Sequence, residues 1–328
     1  MPTLFSRSLP CSRAAIHGTS ADASAGRRVA GRILLLLLVL PLLLAAAALS
    51  CGGDGCSCGP AGKEEPRAPL LSRVSMDVLG ILLVPRTDRL ATQLRGLYDR
   101  FLSQFPDLAK MAGDIRSQTG IDLLRPETIG EIGLDPAGEL LLAVHPDWVL
   151  FGLSLSSSER FERYLRDRFA RELPGMLEFR AAKAGERDAW LVAPRQPAGA
   201  PPVLGYVTLG DQMLIVPGQG PQQQPVDPLV RLAGALALPA ERSLPVAAPG
   251  FADLLAAAGE EPGAVAWLNT VPLARVLAEQ ARGRGAADEA RFHDGLGRAL
   301  TGLALGLTVS GDRLALAGKG LVEAEQYR

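Results

Sequence analysis

An almost unbroken apolar run from Ile33 to Leu49, preceded by arginines at 27, 28 and 32 and closed by Ser50-Cys51, decides which part of this 328-residue chain is available to fold. A basic flank, an apolar core and a small residue before a Gly-rich polar stretch form the layout of an export signal, not of a core helix. The layout predicts that residues 1–50 take no part in the folded domain and that the remainder lies outside the cytoplasm.

The box Ala48-Leu49-Ser50-Cys51 resembles the signal of bacterial lipoproteins: the small residue and the cysteine are in place, with Ala48 and Leu49 where leucine and a smaller residue are commonest. The resemblance implies a diacylglycerol on the Cys51 thiol, cleavage before Cys51 and acylation of the new amino terminus. The alternative is an uncleaved signal anchor, because the eighteen residues 33–50 just reach the length of a thin-bilayer span. In both cases the membrane is a partner through the N-terminal segment. Gly52, where aspartate would favour inner-membrane retention, implies attachment to the outer membrane on its periplasmic side. Arg27-Arg28 lacks the context of a twin-arginine signal. Residues 1–28 make an unusually long leader, and a start at Val29 would leave 22 residues before Cys51.

With 48% apolar and 21% charged residues, the part after the signal can bury a sizeable core. Of 34 basic and 35 acidic residues, five arginines and one aspartate precede Cys51; the mature chain therefore holds 29 and 34, a net charge of −5. Its arginines are interleaved with Glu and Asp, which points away from nucleic acid as a partner.

Cysteine is confined to positions 11, 51, 56 and 58. Once Cys51 is acylated, Cys56 and Cys58 remain as a Cys-x-Cys pair, read as a small local disulfide, with further acylation or idle thiols as alternatives. A closed metal site needs about four ligands, and no cysteine or histidine follows nearby, so neither metal nor cofactor is expected. The domain itself needs no disulfide.

Residues 51–72 are Gly, Pro and charge and read as a flexible tether. Beyond it the pattern alternates between strand and helix. Val78–Val84 is a short apolar strand, after which Thr87 or Asp88 caps a helix with Leu90, Leu94, Leu97, Phe101 and Phe105 at helical spacing. Past the turn Gly133-Leu-Asp-Pro136, residues 140–144 and 149–155 flank His145-Pro-Asp147 as a hairpin would. Ser156-Ser-Ser-Glu159 has capping-box spacing before an amphipathic helix. Strands are predicted near 177–183, 189–193, 203–209 and 212–216, with turns at Gly185-Glu186 and Gly210-Asp211.

A strand at 264–268, helices over 271–281 and 288–300, and a final hairpin form a shorter second half. Residues 205–216 align with 306–317 through Gly205, Gly210 and Asp211 opposite Gly306, Gly311 and Asp312, which suggests a degenerate duplication, although Gly-Asp is also ordinary hairpin chemistry. The division is then a first half over 73–218, an exposed loop and connector over 219–250, and a second half over 251–328. The expected fold is α+β, with a largely antiparallel sheet and helices packed on one face, in two related halves. The order of early amphipathic helix, Gly-Leu-Asp-Pro turn, strand pair and helix resembles secreted bacterial proteins classed as domains of unknown function, which implies a fold and no chemistry.

No catalytic constellation emerges. Gly152-Leu-Ser154-Leu-Ser156 begins like a hydrolase nucleophile elbow but has Ser156 where the second glycine is required. His145-Pro-Asp147 spells the J-domain tripeptide, yet it joins two strands and reads as a turn. His293-Asp294 lies in a helix, where adjacent side chains diverge. Gly295-Leu-Gly297 lacks the strand and the last glycine of a dinucleotide fingerprint. The leading expectation is a lipid-anchored envelope protein that is not an enzyme and binds an envelope protein partner or serves a structural role. The alternatives are a periplasmic carrier of an apolar ligand and a hydrolytic enzyme whose site the sequence does not reveal.

Overall fold

Ten strands form one sheet in which every neighbouring pair is antiparallel, in the order β10-β9-β8-β1-β2-β3-β7-β6-β5-β4. The computed structural model describes residues 69–100, 126–197, 199–221, 223–248, 251, 263–310 and 313–322. The leader, Cys51, Cys56, Cys58, the tether as far as residue 68, Phe101, Phe105 and Asp312 lie outside the described residues. The strands are β1 Gly80–Val84, β2 Leu140–Val144, β3 Val149–Ser154, β4 Leu177–Ala184, β5 Arg187–Pro194, β6 Leu204–Leu209, β7 Gln212–Pro217, β8 Ala264–Leu268, β9 Leu300–Ser310 and β10 Arg313–Val322. A 3-10 turn, Leu70–Arg73, precedes β1. The α-helices are α1 Thr87–Arg100, α2 Pro126–Glu131, α3 Ser158–Glu172, α4 Pro228–Leu236, α5 Leu244–Ala247, α6 Thr270–Gly283 and α7 Ala287–Ala299.

The strands β1, β2, β3, β6 and β7 are buried on both faces, and strand periodicity sorts their side chains between two cores. Leu141, Ala143, Leu150, Val207, Leu214 and Val216 face one core, which is closed by Leu70 and Leu71, by Leu232 and Ala235 of α4, by Leu244 of α5 and by Phe251. Leu142, Val149, Phe151, Tyr206, Met213 and Ile215 face the other, closed by Ala91 of α1, Ile129 of α2, and Phe161 and Phe169 of α3. Helices therefore cover both faces of the α+β sheet, not the single face that the pattern suggests. The continuous apolar runs of β2, β3 and β7 are the sequence trace of this double burial.

Two boundaries move. Leu70 is fully buried and Leu71 nearly so, so the folded domain includes residues inside the expected tether. Residues 219–250, expected to form a loop and connector, contain α4, which Asp227 caps by accepting from the N–H groups of Leu229 and Val230 with Pro228 in the first turn.

The chain path strand, helical segment, hairpin occurs twice. In the first copy β1 is followed by helix and then by the hairpin β2–β3, with β1 paired to β2. In the second β8 is followed by α6 and α7 and then by the hairpin β9–β10, with β8 paired to β9. The two copies meet where β1 pairs with β8, at Gly80–Leu268 through Leu83–Val265. The counterpart of β9–β10 is thus β2–β3. The β6–β7 hairpin lies between β5 and β3 inside the sheet, so the alignment of 205–216 with 306–317 joins unrelated positions.

The registers also define the two ends of the sheet. Val144 pairs with Gly80 and Gly80 with Leu268, so β1 starts and β8 stops beside His145. Pro217 of β7, Leu204 of β6, and the Leu177–Pro194 pair of β4 and β5 fall at the same end. Glu139, Ser154 and the turns at Gly185 and Gly210 fall at the opposite end.

Candidate functional site

A cluster of polar side chains, with His145 and the Gln224 side-chain carbonyl oxygen buried, lies at the His145 end, around the β2–β3 turn. The His145 N–H donates to the Trp148 carbonyl at 2.9 Å, and this closes the turn and lays the imidazole flat on the indole, with centroids 4.0 Å apart and an interplanar angle of 9°. The side chain is 1% exposed. Neither ring nitrogen makes a hydrogen bond, and Nδ1 lies 3.9 Å from Oδ1 of Asp77, whose carboxylate accepts from the Ser75 hydroxyl. Burial pushes the imidazole pKa down to about 4; this outweighs the upward pull of the Asp77 and Asp147 carboxylates, and the Arg231 guanidinium lowers it further. At neutral pH His145 is an uncharged ring.

A loop expected to be exposed completes the cluster. In Pro217-Gly-Gln-Gly-Pro-Gln-Gln-Gln-Pro225, Gly218 and Gly220 are buried, and residues 219 and 225 pair across the loop. Gln224 Nε2 donates to the Asp147 carbonyl at 2.8 Å, while its Oε1 is buried without a hydrogen bond. A Cβ at Gly220 would stand 2.0 Å from the same carbonyl, so only glycine lets the loop lie this close to the turn. The cap at Asp227 starts α4, and one turn on Arg231 reaches back, pairing with the Asp147 carboxylate and placing its guanidinium 5.7 Å from the Trp148 ring centre.

These residues form a latch that ties the β2–β3 turn to the 218–226 loop and to α4. A general base needs both a pKa near the working pH and a path to the proton that it removes. His145 is buried with its pKa pushed down, so at neutral pH the ring is uncharged. Asp147 is engaged by Arg231 through its side chain and by Gln224 through its backbone.

The other candidates remain apart from any such chemistry. Ser154 is a plain strand serine, buried, with its hydroxyl accepting from the Glu139 N–H at 3.1 Å. Gly152 lies within β3, where an added Cβ would press on Leu70 at 3.1 Å, so no elbow forms. His293 approaches Glu289 one helical turn earlier, with Nε2 to Oε1 at 3.6 Å, whereas Asp294 pairs with Arg282 of α6; the adjacent residues diverge as their helical positions require. Among the described residues, no group of three or more His, Cys, Asp or Glu is placed to hold a metal ion.

The sequence places the turn at His145-Pro-Asp147 but gives no hint of Trp148, Asp77, Gln224 and Arg231 as its neighbours. The one usable signal is the pair Gly218 and Gly220 in a proline-bounded loop, glycines that permit close backbone approach as well as flexibility. No known protein family matches this chain, and no curated protein or solved structure does either.

Proposed function

We propose that this is a lipid-anchored protein of the cell envelope whose domain works by binding or by structural support, without catalysis. The address rests on the basic flank, the apolar run and the box ending at Cys51. Among the described residues no helix is long and apolar enough to cross a membrane, which is compatible with a domain held at the surface. The observation that carries the non-catalytic reading is the state of His145. It is uncharged, buried and stacked on Trp148, with carboxylates of Asp77 and Asp147 nearby.

Two variants test the reading together in a deletion strain. Cys51→Ser is expected to abolish incorporation of labelled palmitate and to fail to rescue. The double variant His145→Ala, His293→Ala, provided that it stays folded, is expected to rescue nearly as well as the parent. A dead but folded histidine variant beside an active Cys51→Ser protein would identify a soluble catalyst and overturn the proposal.

A further inference from the structure

The large apolar side chains that stay exposed are not scattered over the surface. Among the described residues there are eight: Met76, Met176, Val230, Val246, Leu268, Val271, Phe292 and Leu296. Single exposed apolar residues need no explanation, but a one-sided distribution does. Met76 precedes β1 and its carbonyl accepts from Asn269 at 2.8 Å, between Leu268 and Val271. Thr270 donates its hydroxyl to the Leu300 carbonyl, which brings the last turn of α7, with Leu296, beside the first turn of α6; Phe292 lies a turn further along α7. Val246 sits on α5, whose Leu244 N–H donates to the Val74 carbonyl. Val230 is in the first turn of α4 next to the latch, and Met176 directly precedes β4. The registers and these hydrogen bonds place Met76, Met176, Leu268, Val271 and Leu296 at the His145 end, Val230 and Val246 lie on helices whose starts are tied to it, and none of the eight lies at the end marked by Glu139, Gly185 and Gly210.

We infer that this end of the sheet rests on the phospholipid bilayer to which the chain is anchored, an inference that builds on the lipid-anchor reading above. Ten strands at about 4.8 Å spacing make the end roughly 40 Å wide, a long rim of separate apolar tips and not one deep groove. A broad, laterally featureless apolar boundary suits such a rim, because each tip enters the headgroup region independently. Cys51 and Pro69 are eighteen residue steps apart, which limits their separation to about 60 Å even when fully extended, so the domain cannot leave the neighbourhood of the membrane. The chain enters the domain at the opposite end, where the Leu70 N–H donates to the Glu139 carboxylate at 3.1 Å, and reaches Met76 on the rim seven residues after Pro69.

The test uses the full acylated chain in native membranes, with a photo-crosslinking phenylalanine analogue placed singly at Leu296, Val246 or Val230, and at exposed Glu186 in the β4–β5 turn as the opposite-end control. Mass spectrometry reads phospholipid adducts, and palmitate on Cys51 is measured in the same sample. Phospholipid adducts at the three rim positions, with none above background at Glu186, are the expected result. A chain that carries palmitate but gives no lipid adducts at the rim, or gives adducts to another protein there in place of lipid, overturns the bilayer contact and leaves the anchor standing. Rim adducts on a chain without palmitate would support the contact and overturn the anchor.

Discussion

Thr87 and Thr270 do the same thing in the two copies of the repeated chain path. Each is buried, each opens the helix that follows its copy's first strand, and each donates its hydroxyl to a carbonyl at the entry to the hairpin's first strand, Gly138 for Thr87 at 3.0 Å and Leu300 for Thr270. The bond ties the start of the helical segment to the point where the chain re-enters the sheet. Valine has the same shape without the hydroxyl, so Thr87→Val and Thr270→Val are each expected to cost about 1 kcal/mol, measured by urea denaturation. An unchanged midpoint for either would show that its bond does not hold the copy together.

A domain cut at Pro69 and one cut at Arg73 should differ sharply. The shorter one loses Leu70 and Leu71 from the core under β2 and β3, and burying two leucines contributes about 4 kcal/mol. The longer fragment is expected to be soluble without detergent and to fold in reducing buffer, and the shorter one to unfold at much lower denaturant. Equal midpoints would mean that the 3-10 turn only decorates the sheet.

Acid should loosen the fold through His145. Its pKa is about 4 when folded and about 6.5 when unfolded, so between those values the unfolded chain binds a proton that the native one refuses. Stability is unaffected by this group above about pH 6.5 and falls by about 1.4 kcal/mol per unit below it until about pH 4. His145→Phe keeps a ring on Trp148 and removes the titration, so its loss of stability between about pH 7 and about pH 5 should be about 2 kcal/mol smaller than that of the parent. Parallel pH profiles would exclude this origin.

Gly220→Ala should open the latch. Its Cβ would meet the Asp147 carbonyl, so the 218–226 loop must lift from the turn. In a fragment starting at Pro69, which retains only His145 and His293, the His145 proton titration should move from about 4 toward the ordinary value near 6.5. An unmoved titration would mean that the loop does not seal the ring.

Local chemistry was legible where one segment determines its own structure. The strand 264–268 and the meander over 177–217 follow alternation and Gly turns, and the observed β8 Ala264–Leu268 agrees residue for residue. The capping signal at 156–159 was right about the helix but one residue early: Ser156 gives its hydroxyl to the Leu134 carbonyl, and Ser157 caps, accepting from the Arg160 N–H. What the sequence concealed is long-range. That β1 pairs with β8 across almost two hundred residues, that Leu70 covers Gly152, and that Gln224 and Arg231 converge on Asp147 depend on tertiary placement that no local period encodes. The same holds for the double-faced burial, because a continuous apolar strand reads alike whether its second face meets helices or another sheet.

The junction between the copies carries a liability as well as a link. The ladder that joins β8 to β1 has four paired positions, and β1 offers that edge to whichever copy of Ala264–Leu268 arrives first. At high protein concentration the arriving segment can belong to a neighbour, which would give reciprocal exchange of the last three strands and a dimer with no new interface chemistry. For the same reason a break in the chain ahead of β8 need not scatter the two pieces, because each retains the strand that the other needs.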